Sequence, residues 1–397
     1  MSPAITGAGC LCAGGLNMEE CVASLFKERK MPQPPTRFTV DYGDATPVYQ
    51  LPERFFEEHP VDLDKRTLTT HMAIVAAKQA VEQAGLTAED LASHKVGVIV
   101  GTTVGCAMND EPYYYSYLDG EDPDLGPINR FLDDNPADAI ARELGSLGPT
   151  QAIVNACTSG GDAMILGRDW IESGLCDIVL VGGSDELNRV TYYGFRSLMV
   201  AAPEECKPFD ATRKGLNLGE GAAILVMESD ESRAKRNAKP IGHFVGGGLC
   251  GDGHHPTAPS PDGIGLRKAM AAALADNALS MEDIAFINAH GTGTKSNDQV
   301  ESTVLDEEMP GVPTLSTKGF TGHTLGAAGA IEAVFTLGCL AEGKLPASPG
   351  FAVRGDDTPA ALTTETTSFT GAVALSESLG FGGNNTVIAL TLNKEDA

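Results

Sequence analysis

Apolar positions along this chain follow two alternating periods. Short runs of branched apolar residues, typical of buried strands, alternate with longer runs whose apolar positions recur at helical spacing. The run 72–84 predicts a helix that ends at Gly85, and the run 95–100 predicts a buried strand after it. This order predicts an α/β fold with largely parallel sheets that are covered by helices.

The same alternation continues to the C-terminus. Further predicted elements are the helices 159–173, 263–279, 298–308 and 326–342, and the strands 177–182, 221–227, 285–289, 314–317, 372–376 and 386–392. The charged stretch 228–239 predicts a connection between two halves of similar plan. By contrast, the stretch 109–136 is rich in Asp, Pro, Gly and Tyr and predicts an irregular surface excursion.

Length and hydropathy limit the class of protein. A chain of 397 residues favours two domains, which we place at 1–240 and 241–397. No uninterrupted apolar run reaches the roughly 18 residues that a membrane-spanning helix needs. The first lysine is Lys27, so the N-terminus lacks the basic start of a signal peptide. We therefore expect a cytoplasmic protein without a membrane span.

The chain is strongly acidic, with a formal net charge of −26. This charge argues against nucleic acid and against an anionic membrane surface as partners. An acidic protein partner would require a local basic patch. The candidate basic residues are Lys65, Arg66, Arg196, Lys207, Arg213 and Lys214, and ordinary solvated charge is the alternative for each.

The nine cysteines are scattered, without a CxxC pair or a Cys/His cluster at zinc-ligand spacing. Cys10 and Cys12 form a single CxC, which is a weak signal for metal or redox use. We therefore expect no metal, no other cofactor and no disulfide framework.

One cysteine lies in a different context. In the segment 151–161 (QAIVNACTSGG), a short β-branched run ends at Cys157, and small residues then open an amphipathic helix. Unpaired N–H groups and the positive dipole end of a helix N-terminus favour thiolate over thiol. The turn therefore predicts a nucleophile at Cys157.

Two later glycine-rich segments each offer a histidine, His290 in 289–294 (AHGTGT) and His323 in 316–329 (STKGFTGHTLGAAG). A nucleophilic thiol alone is compatible with a hydrolase, an oxidoreductase or an acyltransferase. A cysteine hydrolase uses one histidine as a base. Carbon–carbon condensation instead needs an enolate oxygen to be stabilised, and two neutral imidazoles can donate N–H bonds to it. The paired histidines favour condensation.

Six motifs, in family order, make the chain resemble the β-ketoacyl-acyl carrier protein synthases, condensing enzymes of the thiolase superfamily, over almost its whole length. They are 156–160 (ACTSG), 207–210 (KPFD) with 219–223 (GEGAA), 252–259 (DGHHPTAP), 289–294 (AHGTGT), 317–323 (TKGFTGH) and 379–383 (LGFGG). The resemblance implies thiolase-like duplicated α/β halves that form a five-layered αβαβα core. The opening 5–12 (ITGAGCLC) is similar to synthases of bacterial aryl polyene pathways.

The resemblance also implies catalytic roles. Cys157 would carry the acyl chain as a thioester. His290 and His323 would assist decarboxylation of a malonyl group and hold the enolate. Lys318 would orient the histidine turn, with Glu301 as a supporting residue; an ordinary buried ion pair between these two is the alternative.

Further roles concern the substrate. Thr292 and Thr294 resemble the hydroxyls that bond the phosphopantetheine arm of the carrier protein. The backbone N–H groups of Cys157 and Phe381 would form an oxyanion hole, and the ring of Phe381 would act as a gate.

The function implied by the resemblance is an acyltransferase that performs decarboxylative Claisen condensation with malonyl-acyl carrier protein, in fatty acid or polyene and polyketide biosynthesis. The implied partners are acyl carrier protein and either a second copy or a related chain-length subunit that has lost its cysteine. Two alternatives stay open: the chain is itself that partner subunit, or it is a non-decarboxylating thiolase. Thiolases recruit a second cysteine near the C-terminus, whereas the last cysteine here is Cys339, so that alternative ranks lower.

Overall fold

A computed structural model describes residues 2–27, 29–104 and 107–393. The strands are β1 (Ala4–Leu11), β2 (Val96–Gly101), β3 (Thr150–Ile153), β4 (Ile178–Asp185), β5 (Gly221–Glu228), β6 (Gly242–Gly251), β7 (Ile284–Asn288), β8 (Thr314–Leu315), β9 (Lys344–Leu345), β10 (Thr367–Ser368), β11 (Val373–Gly380) and β12 (Asn384–Thr391). Each strand predicted from the sequence has a counterpart among them.

The helices likewise include every predicted one. They are α1 (Met18–Lys27), α2 (Arg54–Glu58), α3 (Leu68–Gln83), α4 (Ala88–Ser93), α5 (Ala107–Leu118), α6 (Gly126–Asp133), α7 (Pro136–Leu144), α8 (Ser159–Glu172), α9 (Arg189–Ser197), α10 (Asp230–Arg236), α11 (Ile264–Ala275), α12 (Lys295–Glu308), α13 (Lys318–Thr321) and α14 (Ala328–Glu342), with short 3₁₀ turns at Met281–Asp283 and Leu325–Ala327.

Ten strands form one sheet in the order β3-β2-β4-β5-β1-β6-β12-β11-β7-β8. The two halves of this sheet meet where β1 contacts β6 through two residue pairs. Counted outward from that junction, β1, β5, β4, β2 and β3 follow the same chain order as β6, β12, β11, β7 and β8. The predicted duplication is confirmed, although no repeat is visible in the sequence.

The prediction of largely parallel sheets is wrong. Each half has two parallel pairs, made by β2 or β7 with its two neighbours, and two antiparallel pairs. The reason is the last strand of each half, which returns antiparallel beside the one before it. In the second half that return is the tight turn between β11 and β12.

Helices form three layers around the two half-sheets. The helices α8 and α14 contact each other and strands of both halves, so they lie between the half-sheets. On the outer faces, α3 packs on β1 and β5, and α11 packs on β6 and β12. The layers therefore follow the order αβαβα, as the resemblance implied.

Glycines explain why the sequence pattern missed β1 and β6. A Cβ atom at Gly9 would lie 2.0 Å from the carbonyl oxygen of Ala76 in α3, and one at Gly248 would lie 1.9 Å from that of Ala269 in α11. Each outer helix therefore packs directly on glycine backbone. These strands lack a branched apolar pattern because close packing excludes side chains there.

The structure also corrects the prediction of irregular structure for the stretch 109–136. Instead of an irregular excursion it contains α5 and α6, and α7 begins at Pro136. At the end of the stretch, Asn135 accepts the N–H of Asp138 as an N-cap and Pro136 is the first residue of α7, whereas Pro112 lies inside α5.

One segment, Leu325–Glu342, is long and apolar enough to cross a membrane by length and composition. Nearly all of it is buried inside the fold, where α14 forms half of the central helix layer. It is the core helix of the molecule.

Candidate active site

The predicted nucleophile lies in a constrained turn between β3 and α8. Ala156 has φ +51°, a left-handed conformation that is unusual for a residue with a side chain. Ser159 fixes the turn, since its Oγ accepts the N–H of Asn155 at 2.8 Å and donates to the carbonyl of Ala156 at 2.7 Å. The turn places Cys157 just before the start of α8, with its side chain almost fully buried.

The second turn brings His323 to this thiol. The helix α13 ends at Gly322, which has φ +68° and redirects the chain. The Nε2 atom of His323 lies 3.1 Å from the Sγ of Cys157. The N–H of Leu325 donates to Nδ1 at 3.3 Å, so the ring hydrogen of the neutral imidazole is assigned to Nε2. His323 therefore presents an N–H to the reaction centre.

His290 lies beside it on the loop that follows β7. The two imidazole centroids are 5.1 Å apart, with the rings at 83°. The Nζ of Lys318 donates to the Nδ1 of His290 at 3.1 Å and to its carbonyl oxygen at 2.5 Å. Nε2 of His290 is therefore the second N–H donor of the pair.

Both imidazoles are held neutral. Burial, followed by the positive charge of Lys318, lowers the pKa of His290 and of His323 well below the usual range. At neutral pH each ring can donate one hydrogen bond without carrying a charge.

A buried carboxylate that sequence analysis missed supports Lys318. Glu332 of α14 accepts a short hydrogen bond from the Lys318 Nζ, and both side chains are almost fully buried. Burial raises the pKa of Glu332 to about 7, and the Lys318 charge opposes that rise. The signal was available, since Glu332 is the one charged residue between Gly326 and Leu340.

Two carboxylates on α12 hold the His290 loop. Glu301 accepts the backbone N–H groups of His290 at 2.6 Å and Gly291 at 2.8 Å. Asp298, which sequence analysis did not single out, accepts those of Thr292 and Gly293 at 3.0 and 3.1 Å. The spacing of three residues on a helix, which puts both carboxylates on one face, was the signal for Asp298.

The predicted substrate residues line one cavity with the thiol. This cavity of about 400 Å³ is bounded by Cys157, both histidines, Thr292, Thr294, Lys214 and Phe381, among others. The hydroxyls of Thr292 and Thr294 are 2.9 Å apart. The ring of Phe381 stacks on that of Phe195, with centroids 5.3 Å apart. The exposed His254 and His255 belong to the loop whose residues 257–259 line the same cavity.

Of the candidate basic residues, Lys214 lines the cavity. The others have local partners: Lys65 pairs with Asp62, Arg66 with Asp134, Lys207 with Glu204 and Arg213 with Asp357, while Arg196 lies over the rings of Tyr192 and Tyr193. Lys214 itself is 3.2 Å from Glu204 and more than half exposed. Lys295, which is exposed and was not among the candidates, lines the same cavity, so two lysines are placed to meet an acidic group that enters it.

The prediction of a favoured thiolate at Cys157 is wrong for the resting site. Burial raises the pKa of the Cys157 thiol to about 11, while the Lys318 charge and the backbone N–H of Phe381 act in the opposite direction. The cost of burying an anion outweighs these favourable contacts. The sulfur is therefore a thiol at neutral pH.

This protonation state predicts the pH dependence of alkylation. Because thiolate is the reactive form, the rate of Cys157 modification by iodoacetamide should rise about tenfold per pH unit between about pH 7 and 9, below the raised pKa of about 11. Peptide mass spectrometry of quenched samples measures this rate. A rate that is already constant above pH 7 would contradict the raised pKa.

A second prediction concerns Glu301. Glu301→Gln replaces one acceptor oxygen by an NH₂ group that faces a backbone N–H, so a buried donor loses its partner. We expect a loss of about 1–3 kcal/mol in the free energy of unfolding. Decarboxylation should slow because His290 loses its fixed position. Alkylation of Cys157 should change little. A general destabilisation of the fold would instead alter the alkylation rate as well.

The matched control is Glu307→Gln at the exposed end of α12. Its ion pair with Arg267 lies at the surface, where such pairs contribute little. Chemical unfolding and CO₂ release from malonyl-carrier protein compare the variants. Equal effects at both positions would show that the carboxylate of Glu301 does not hold the His290 loop in position.

Comparison with known proteins gives a consistent picture. Residues 2–233 match the family described as Beta-ketoacyl synthase, N-terminal domain, and residues 241–352 match Beta-ketoacyl synthase, C-terminal domain. A curated relative, 3-oxoacyl-[acyl-carrier-protein] synthase 2 of Synechocystis, is 30% identical over 406 residues, covering 97% of this chain and 96% of the relative.

Two solved structures are similar over nearly the whole chain. The ishigamide ketosynthase/chain length factor has a TM-score of 0.92 and 31% identity, with 99% of both chains covered. The ketosynthase ApeO in complex with its chain length factor ApeC from Xenorhabdus doucetiae has a TM-score of 0.82 and 28% identity, with 99% of this chain and 98% of that chain covered.

Proposed function

Because this chain belongs to the β-ketoacyl synthase family, we propose that Cys157, His290 and His323 together perform its decarboxylative condensation. The chain is an acyltransferase of the condensing-enzyme class. The observation that carries the residue assignment is the contact of 3.1 Å between the His323 Nε2 and the Cys157 Sγ, with the His290 ring beside it.

The first step loads the acyl chain. The Cys157 sulfur attacks the thioester carbonyl of an acyl-carrier protein, a new carbon–sulfur bond forms, and the bond to the carrier sulfur breaks. The thiol proton leaves Cys157 and ends on the departing carrier thiol, so the step needs no external base overall. The backbone N–H groups of Cys157 and Phe381 are the donors proposed for the oxyanion.

The second step forms the carbon–carbon bond. Malonyl-carrier protein loses CO₂, and the electron pair of the broken bond becomes an enolate whose oxygen accepts the Nε2–H bonds of His290 and His323. The enolate carbon attacks the acyl-Cys157 thioester and releases β-ketoacyl-carrier protein. Cys157 leaves as a thiolate and regains a proton from water.

The carrier is proposed to enter through the cavity mouth. Thr292 and Thr294 offer hydroxyls to a pantetheine arm, and Lys214 offers a positive charge. On a chain with a net charge of −26, a lysine at this position is the local basic group that an acidic carrier needs.

We also propose an association through β3, either with a second copy or with a related chain-length subunit. The strand β3 is the first in the sheet order and is paired on one side by β2. Val154, directly after it, is 68% exposed, and nearby Leu147 is 90% exposed. An unpaired edge with apolar neighbours favours pairing with another chain. Chain length factors occur with both ketosynthase neighbours named above.

The alternatives are less well supported. A non-decarboxylating thiolase needs a second thiol at the reaction centre, whereas the cavity in the described part of the chain is lined by Cys157 alone among cysteines. Cys339 lies buried in α14. A partner subunit without catalysis would not need the assembled Cys157, His290 and His323. The domain division at residue 240, the cytoplasmic location and the aryl polyene pathway remain predictions.

Intact-mass spectrometry tests the proposal. The purified chain is exposed to a panel of acyl-carrier proteins and then to malonyl-carrier protein. We expect one acyl group per chain, removed again as malonyl-carrier protein is consumed with release of CO₂. A chain that never acquires an acyl group, either alone or with a related subunit added, would support the partner-subunit alternative.

A further inference from the structure

Three cysteines of the N-terminal segment lie close together in the fold. All three are far from Cys157 in sequence. Cys10 lies in β1, Cys12 directly follows that strand, and Cys21 lies in α1. All three side chains have no exposed surface. Their sulfur atoms all lie within 4.8 Å of one another, and the residues that the structure describes contain no other such group of Cys, His, Asp or Glu. We call this group the thiol cluster.

Sequence analysis considered Cys10 and Cys12 only, because nothing in the pattern placed Cys21 beside them. The turn at residues 12–15 brings α1 back against β1, held by two hydrogen bonds of 3.1 Å between the backbones of Cys12 and Gly15. The third thiol is therefore a product of the fold.

Cys12 is the centre of the thiol cluster. Its Sγ lies 3.5 Å from that of Cys21 and accepts the N–H of Gly14 at 3.3 Å. Hydrogen bonds from the thiols of Cys10 and Cys21, together with backbone N–H groups, hold the pKa of Cys12 well below its usual range. The same contacts raise the pKa of Cys10 and Cys21. The observation that points to a ligand is the geometry, since the three buried sulfurs all lie within 4.8 Å of one another.

We propose that Cys10, Cys12 and Cys21 form a binding site for one soft, thiophilic d¹⁰ metal ion, of which Cu(I) is the cellular example. Thiolate ligands select ions of this class over hard cations. Three sulfurs around an ion at about 2.3 Å stand about 4 Å apart. The sulfurs of the cluster, all within 4.8 Å of one another and 3.5 Å apart for Cys12 and Cys21, can take up this spacing with a small shift. Structural Zn(II) takes four ligands, and the described residues supply three.

Binding conserves charge and oxidation state. Each sulfur that coordinates as a thiolate releases its proton to solvent, and Cu(I) stays Cu(I). A Cys12–Cys21 disulfide is the other chemistry that two of these thiols could perform, but it would require their sulfurs to approach to about 2.05 Å and would leave Cys10 unused. Because a third sulfur lies beside the other two, metal binding accounts for the whole cluster, whereas a disulfide accounts for two of its members.

An ion could reach the buried cluster only if the turn 12–15 opened locally. A surface cleft is lined by Gly14, Gly15 and Glu20, so opening of the short turn 12–15 would expose Cys12. The other side of this turn packs against α13. A Cβ atom at Gly14 would lie 2.5 Å from the ring of Phe320, which belongs to α13 with Lys318. The turn that carries Cys12 therefore packs against the helix that carries Lys318.

The test titrates the full chain with Cu(I), delivered as its bicinchoninate complex under anaerobic, reducing conditions. A Cys157→Ala background removes the reactive thiol of the active site. We expect one Cu(I) per chain to transfer from the chelator, with an ultraviolet thiolate-to-metal absorption and a rise in Tm. Cys12→Ser should abolish the transfer, and Cys10→Ala and Cys21→Ser should each weaken it at least about tenfold, because each removes one of three ligands.

The matched controls are Cys250→Ser, partly exposed, and Cys339→Ser, buried in α14. Both should retain the full equivalent of Cu(I). Circular dichroism establishes that each variant is folded, and the two single variants at Cys10 and Cys21 stand in if Cys12→Ser does not fold. Failure of the parent chain to take up Cu(I), equal uptake by the cluster variants, or preferential binding of Zn(II) would overturn the assignment.

Discussion

Replacing Cys157 by alanine should abolish acyl loading and reduce condensation by at least about 10⁴-fold, the scale seen when an enzyme loses its nucleophile. The thiol lies 3.1 Å from the His323 Nε2 and is the cysteine that lines the cavity. Intact mass after exposure to acyl-carrier protein measures loading directly. The His290 and His323 donors remain in this variant, so CO₂ release from malonyl-carrier protein should persist without formation of a β-ketoacyl product.

The control for this variant is Cys250→Ala, which removes a partly exposed thiol outside the cavity. It should load the acyl group at the parent rate. An acyl adduct on the Cys157→Ala chain would refute the nucleophile assignment. Loss of CO₂ release together with loading would contradict the separate role given to the histidines.

Replacing His323 by alanine should slow CO₂ release and preserve acyl loading, the reverse of the result expected for Cys157→Ala. Its Nε2–H is one of two donors to the enolate oxygen, and loss of one such fixed donor costs about a hundredfold or more in rate. CO₂ release should fall by that factor, whereas the acyl adduct on Cys157 should still form at a measurable rate. Radiolabelled malonyl-carrier protein measures the first step and intact mass measures the second.

His94→Ala is the matched control. His94 lies at the C-terminal end of α4 and is not among the residues that line the cavity. It should leave both steps unchanged. If His323→Ala reduced loading and decarboxylation equally, the division of labour between Cys157 and His323 would be wrong. The neutral state of His323 also predicts that its role persists to low pH, since its pKa lies well below the usual range.

Local sequence signals predicted the catalytic turns. Cys157, His290 and His323 each stand in a glycine-rich segment at the end of a strand or short helix, and the fold places all three at one cavity. The order of motifs along the chain was enough to expect this. What the order could not supply was the protonation of Cys157, because burial depends on every layer that closes over the turn.

The missed parts have a common physical cause. The strands β1 and β6 are glycine-rich because α3 and α11 pack directly on their backbones, so the pattern that identifies a strand is absent there. Glu332 binds Lys318 on another helix, and Asp298 also accepts the N–H of Phe209, a residue from the first half of the chain. The thiol cluster likewise depends on a turn that returns α1 to β1. Contacts of this kind arise from packing, which periodicity does not encode.

A single-turnover experiment tests the proposed condensing site most directly. The chain is first acylated at Cys157, freed of excess substrate and mixed with malonyl-carrier protein labelled in its carboxylate. We expect one CO₂ to be released and one β-ketoacyl-carrier protein to form for each acyl group lost from Cys157. Release of the acyl group as a free acid, or its transfer without CO₂, would contradict the condensing site built by Cys157, His290 and His323.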